Sequence, residues 1–241
     1  MAVVQKICCC VEQILNHGDH VYTVQLAPDR NVPNFKPGQF LHLALDRYDP
    51  GDFWPESRVF SIANSPTTRD HISITYSVRG KFTARMETEL TRDRQVWIKM
   101  PYGDFLIQNT RDIVLLAGGT GITAFTAFLD GLTPAFEHNI YLAYGARNSR
   151  LLIYRNLADR CAGVVPKLRL FYFIENGTDE SAETRSAVVG RISISALWLH
   201  LDRPLTATYY ISGPPEMIKS LSCDLKERGV GENVIRIDAW E

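Results

Sequence analysis

The run Gly118-Gly119-Thr120-Gly121 puts three glycines and no charge between two apolar stretches. Glycine lets a chain turn sharply and lets backbone approach another group closely. "DIVLLA" before the run reads as a buried strand, and "ITAFTAFL" after it as a helix. Strand, glycine turn and helix start, in that order, can cradle a phosphate. The first N–H groups of a helix point outward and its dipole is positive at that end. Gly119-Thr120-Gly121-Ile122-Thr123-Ala124 fits the G-x-G-x-x-A spacing of a dinucleotide turn. A tight turn with no ligand fits the same residues.

The next strand of such a unit usually ends on an acid that holds a ribose 2′-hydroxyl. Here it runs into Tyr144-Gly145-Ala146-Arg147-Asn148-Ser149-Arg150, with two arginines and no acid. Arg147 and Arg150 suit a 2′-phosphate through charge-assisted, bidentate bonds, which favours NADPH over NADH. Ordinary solvated arginines at a helix start are the plainer alternative.

Composition narrows the partners. Lys and Arg total 26 and Asp and Glu 27, a net charge of −1, so no general basic field recruits nucleic acid. Cys8, Cys9, Cys10, Cys161 and Cys223 form no C-x-x-C pair and no zinc or iron–sulfur spacing, so no metal site is expected. They read as reduced thiols of a cytoplasmic protein, with Cys8 to Cys10 behaving as small core hydrophobes. Residues 113–129 carry no charge and reach the short limit of a membrane span. The glycine break at their middle argues for strand, turn and helix instead, and hence for a soluble chain without a span.

The elements that must position these groups differ between the two halves. Residues 1–109 carry strand signals: 3–13, 20–27, 39–45, "RVFSIAN", "HISITYSV" and "QVWIKM", with one helix over 83–90. "NHGD" and Pro37-Gly38 supply turns. Six strands with such turns predict a small six-stranded antiparallel β-barrel of Greek-key type. Residues 110–241 alternate strand and helix, which predicts a parallel, Rossmann-like α/β sheet. Its strands are "DIVLLA", "NIYLAYGA", "LRLFYFI", "TATYYIS" and "NVIRID", with helices over 122–131, 151–160, 194–199 and 215–228. Residues 175–186 are polar and acidic and read as a surface loop.

Taken in order, these pieces resemble the ferredoxin–NADP reductase superfamily across the whole chain. "FKPGQF" is similar to its barrel strand, and Arg58-Val59-Phe60-Ser61 to its R-x-[YF]-S flavin motif. "SVRGKFTARM" resembles its phosphate loop and helix, and "PYGDF" its crossover turn. "GGTGIT", "YGAR" and "SGPPEM" resemble the nucleotide loop, the second-strand motif and C-G-P-x-x-M. The resemblance implies a flavin-binding barrel over 1–109 and an NAD(P)-binding domain over 110–241.

It also implies roles. Arg58, a permanent cation, would pair with a flavin phosphate. Phe60 would offer its flat face to the isoalloxazine or ribityl chain. Ser61 would hydrogen-bond flavin N5. Strand alternation sends Arg58 and Phe60 to one face and Ser61 to the other unless the strand bulges. Ile62, Tyr76 and Val78 join the flavin contacts, and Gly80, Lys81, Phe82 and Thr83 the phosphate loop. Gly119, Thr120, Gly121, Ile122, Thr123, Arg147, Arg150, Gly213, Pro214 and Met217 would bind nucleotide, with Thr123 able to face the flavin. Ser212 stands where the family has cysteine near the nicotinamide. Asp238 and Trp240 match an acid and an aromatic that reach the flavin in the family, though Trp240 would equally anchor the last strand.

The implied activity is hydride transfer from NAD(P)H to bound FAD, with FMN the alternative. Electrons would go on to a separate acceptor: a ferredoxin, a flavodoxin or an oxygenase component. Two other readings stay open. One is an NAD(P)H:free-flavin reductase. The other is a non-catalytic flavin- or nucleotide-binding regulatory subunit, which Ser212 keeps in play.

Overall fold

A computed structural model describes residues 3–176 and 187–238, so Trp240 and most of the acidic stretch lie outside the described residues. The chain divides into two compact units, residues 1–106 with 126–128, and the rest.

The first unit is a six-stranded antiparallel sheet in the order β4-β3-β6-β1-β2-β5. Its strands are β1 (Gln5–Asn16), β2 (Val21–Pro28), β3 (Phe40–Ala44), β4 (Ser57–Ser61), β5 (Ile72–Ser77) and β6 (Gln95–Tyr102). The sheet curls until its ends nearly meet: just beyond β4, Ala63 N–H donates to the Ser73 carbonyl on β5 at 2.9 Å. Helix α1 (Lys81–Glu89) follows β5 and buries Phe82 and Met86 in the barrel core. Alternation explains the β1 thiols. Ile7, Cys9 and Val11 point inward and are buried, while Cys8 and Cys10 face the other way and are half-buried. Only the middle cysteine is a core hydrophobe, which corrects the expectation for all three.

The second unit is a six-stranded parallel sheet in the order β10-β9-β8-β7-β11-β12. Its strands are β7 (Ile113–Gly118), β8 (Ile140–Ala146), β9 (Leu168–Ile174), β10 (Val188–Val189), β11 (Thr208–Ser212) and β12 (Ile235–Asp238). Helices α2 (Thr123–Asp130), α3 (Arg155–Val164), α4 (Ile194–Trp198) and α5 (Pro215–Glu227) connect them. β7 is buried at every position, which is why its sequence imitates a membrane segment. Among the described residues, no helix is long and apolar enough to cross a membrane.

Two details depart from the sequence reading. The helix expected from residue 151 begins at Arg155. The Asn148 side chain accepts from Leu151 N–H and closes a short 3-10 turn over Ser149–Leu151, after which Leu152 leaves helical geometry at ψ 54°. Strand β10 was not anticipated. It is two exposed valines on the sheet edge, too short for a periodic pattern.

The barrel carries a surface ion network centred on α1. Arg85 bonds Asp46 at 2.8 Å and Glu89 at 2.8 Å, and Glu89 also meets Arg94 at 2.8 Å. The hydrogen bond from Arg85 holds the carboxyls of Asp46 and Glu89 below their usual range. Glu87 is lowered by bonds from His20 and then Tyr22. A carboxyl whose folded pKa lies below its unfolded value stabilises the fold above the unfolded value, about 4, and loses that contribution as pH falls through the folded one. An Arg85→Met variant should therefore be less stable than the parent at pH 7, with the gap narrowing below about pH 4. Urea denaturation at pH 7, 4 and 3 reads this. A gap independent of pH would refute it.

Candidate functional site

In the barrel unit, β4 and the start of α1 carry the candidate residues. β4 pairs with β3 in unbroken register from Ser57 to Ser61. Arg58 and Phe60 therefore share one face of the strand, and Ser61 takes the other. The Arg58 guanidinium is half-exposed. It lies 5.3 Å from the Phe82 ring centroid and donates to the Ser57 carbonyl at 2.9 Å. Phe60 is half-buried, edge-on to Tyr76 at 6.2 Å. Arg79, Gly80 and Lys81 are exposed at the start of α1, beside the helix's positive end. Arg79 belongs to the loop motif and joins the candidate residues through its exposure beside the helix start. Its adjacency to the N-cap glycine was the signal available.

Several residues sit differently from the simplest expectation. Ile62, Tyr76 and Phe82 are 1 %, 3 % and 3 % exposed, so their side chains build the core and leave mainly backbone for a ligand. Val78 is half-buried and packs against that core. The Thr83 hydroxyl is turned back on its own loop: it accepts from Arg79 N–H at 2.9 Å and Gly80 N–H at 3.1 Å. It fixes the loop's shape, so a phosphate would meet it only by displacing those bonds.

In the parallel unit, chain order reverses at β7. β8 lies on one side of it and β11 on the other. A crevice at the carboxyl ends of strands forms at such a reversal. The turn after β7 is a 3-10 turn over Gly119–Ile122, with Gly119 at φ +54°. It packs closely against the segment after β11 at three glycines. A Cβ on Gly121 would stand 2.4 Å from the Ser212 carbonyl oxygen, and one on Gly118 2.5 Å from the Met217 sulfur. Gly213, at φ +154°, would meet the Met217 methyl at 2.6 Å. Met217 thus packs into the hollow left by two glycines. Thr120 remains partly exposed, whereas Ile122 and Thr123 are buried and the Thr123 hydroxyl donates to the Thr120 carbonyl at 2.8 Å. That bond uses the hydroxyl expected to face a flavin.

Ser212 and Asp238 are opposite each other in the β11–β12 register. The Ser212 hydroxyl donates to Asp238 Oδ2 at 2.8 Å, with both residues buried. Arg147 and Arg150 are exposed just past β8, and the Arg147 carbonyl accepts from Asn176 N–H at 2.8 Å. Pro214 caps α5, whose first residue is Pro215.

An antiparallel barrel followed by a parallel sheet with a glycine turn at its reversal point is the architecture the chain shares with its relatives. The family described as "Oxidoreductase NAD-binding domain" matches residues 115–222. An NAD(P)H-flavin reductase of Vibrio harveyi is 31 % identical over 172 residues, covering 65 % of this chain and 68 % of that protein. Reductase component 1 of a terephthalate 1,2-dioxygenase from Comamonas sp is 28 % identical, over 81 % of this chain and 56 % of that protein. The chain spans about half the length of several curated relatives it matches, 46 % to 56 %. The crystal structure of a cytochrome P450 reductase from Amycolatopsis shares the fold, with a TM-score of 0.80 at 19 % identity over 99 % of this chain and 70 % of that one. The chain belongs to the ferredoxin–NADP reductase superfamily.

The glycine contacts make a direct test. Gly121→Ala should cost about 1–3 kcal/mol, because backbone must move to admit the methyl. Gly163→Ala, in α3 with nothing near its would-be Cβ, should instead raise stability by about 0.5 kcal/mol. Equilibrium denaturation of both variants measures this. Equal effects would remove the packing role assigned to Gly121.

Proposed function

We propose that the protein is a flavin-dependent NAD(P)H oxidoreductase that passes electrons to a separate acceptor. The observation that carries this reading is the glycine turn of residues 118–121 packed against Ser212–Met217 at the reversal point of the sheet. The barrel residues fit a flavin carrying phosphate. Arg58, Arg79 and Lys81 present exposed cations beside the open N-terminus of α1, and Phe60 presents a half-buried aromatic face nearby in sequence. When bound, the flavin, FAD or FMN, supplies the redox chemistry that takes two electrons from the nicotinamide and releases them singly or as a pair.

The chain's own residues bind and orient. Arg58 pairs with the flavin phosphate, and the loop held by Thr83 directs N–H groups at it. Phe60 lines the ring or ribityl chain, with Ile62, Tyr76, Val78 and Phe82 supporting it from the core. On the other unit the turn of Gly119, Thr120 and Gly121 cradles the pyrophosphate, and Ile122, Thr123, Gly213, Pro214 and Met217 keep that turn in shape. Ser212 and Asp238 place a fixed buried dipole at the end of the sheet, where the family's nicotinamide lies. The Ser61 backbone would serve flavin N5, its side chain lying across β4 from Phe60, and Trp240 completes the proposed set from outside the described residues. Arg147 and Arg150 hold a 2′-phosphate, which makes NADPH the preferred donor.

The similarity to the Vibrio harveyi NAD(P)H-flavin reductase supports a second reading, in which flavin is a diffusing substrate.

Purified protein should show flavin absorption that survives gel filtration and bleaches anaerobically on adding NADPH. Flavin lost on the column, with NADPH oxidation restored by added FMN or FAD, selects the free-flavin reading. No oxidation of either nucleotide with either flavin rejects both. Arg147→Ala should lose about tenfold in kcat/KM for NADPH, the weight of one charge-assisted contact, and far less for NADH. Equal losses would remove the case for NADPH.

A further inference from the structure

Arg58 is already engaged by an acid. Its Nη2 lies 3.3 Å from Glu56 Oε1, the one carboxylate it pairs with among the described residues. The other oxygen of the same carboxylate, Glu56 Oε2, lies 3.7 Å from Arg85 Nη1. Glu56 thus sits between two guanidinium groups, one oxygen toward each. The two arginines depend on it unequally. Arg85 also holds Asp46 through both Nη atoms, at 2.8 and 3.3 Å, and Glu89 through Nε at 2.8 Å. Arg85 would stay neutralised without Glu56, and Arg58 would not.

A phosphate arriving at Arg58 must take the place of Glu56, because both are anions and address the same fork of N–H donors. The exchange is cheap. The side chains of Arg58 and Glu56 are 53 % and 52 % exposed, so neither charge is stranded in a dry interior during the swap. Arg85 lies within reach to receive the displaced carboxylate.

We propose that Glu56 is a built-in competitor for the flavin phosphate. It occupies Arg58 when no ligand is bound, shifts toward Arg85 when one is, and thereby sets how tightly phosphate-bearing flavin is retained. The proposal rests on the flavin reading above and adds to it a residue that sets affinity without touching the ligand.

The competition has a sign. If Glu56 merely positioned Arg58, removing its charge would weaken binding; if it competes, removing its charge tightens binding. Flavin fluorescence quenching at low ionic strength would compare FMN with riboflavin, which has no phosphate, on the parent, Glu56→Gln and Glu56→Gln/Arg58→Ala. FMN should bind Glu56→Gln about two- to fivefold tighter, the weight of one exposed ion pair. Riboflavin should be unchanged, and the gain should vanish without Arg58 and shrink in high salt. Unchanged or weaker FMN binding, an equal gain for riboflavin, or a gain that survives loss of Arg58 would each overturn the proposal. Inorganic pyrophosphate, titrated while the Arg58 Nε–Hε resonance is followed by NMR, tests the same competition without flavin. Tighter pyrophosphate binding by Glu56→Gln in a protein that binds neither FMN nor riboflavin would uphold the competition and reject the flavin reading alone. No tightening there would reject the competition itself.

Discussion

The parallel unit depends on a backbone-to-backbone contact at the point where its sheet reverses. Gly121 lies against the Ser212 carbonyl, and Gly118 and Gly213 leave a hollow that the Met217 thioether fills. At Gly121 a Cβ would stand 2.4 Å from the Ser212 carbonyl oxygen, so backbone would have to move to admit it, whereas at Gly118 and Gly213 the end of the Met217 side chain would have to shift. The consequence is positional. The turn after β7 and the segment after β11 are packed against each other, which fixes the course of the turn's backbone. A site meant to hold an anion gains from this, because rigid dipoles need no reorganisation when charge arrives.

The barrel solves a similar problem with charge. α1 is clamped through Arg85 to Asp46, through Glu89 to Arg94, and through Glu87 to His20 and Tyr22. These bonds lie along the body of the helix and leave Arg79, Gly80 and Lys81 at its start exposed. Thr83 then ties Arg79 and Gly80 into the shape of that turn without covering it. Arg58 is the exception. It lies over Phe82 and is bonded to its own strand, yet among the described residues the one carboxylate it pairs with is a neighbour that Arg85 can share. A cation held in place mechanically but weakly neutralised is suited to exchanging one anion for another.

Much of this was legible in the residues. The uncharged glycine run, "RVFS" and "SGPPEM" marked the segments, and apolar periodicity located the described strands of both sheets except β10. The failures have separate causes. Cys8 and Cys10 share an apolar run with Cys9, but period-2 alternation decides which thiol is inside, and register is a tertiary property. Residues 151–154 have helical composition, and the Asn148 side chain overrides it by closing a tighter turn. Met217 matches a nucleotide-binding motif, and its side chain packs against Gly213 one turn away and Gly118 far back in the chain, a contact the motif alone does not reveal. Thr83 and Thr123 are the types that bind phosphate or flavin, and in the structure both hydroxyls bond to local backbone, a contact their spacing does not announce.

Ser212 shows how far a motif alone can be carried. Read in sequence, it is a departure from the family's cysteine and so a reason to doubt activity. The β11–β12 register puts it opposite Asp238, and the pair bonds in a buried setting at 2.8 Å. A thiol is a weak donor and would leave that carboxyl poorly served, whereas a hydroxyl donates a hydrogen bond of ordinary length to it. Serine is therefore the better partner for an aspartate at this depth. The substitution and the acid belong together as one polar unit, and the departure at Ser212 is by itself no argument for a site that has lost its chemistry.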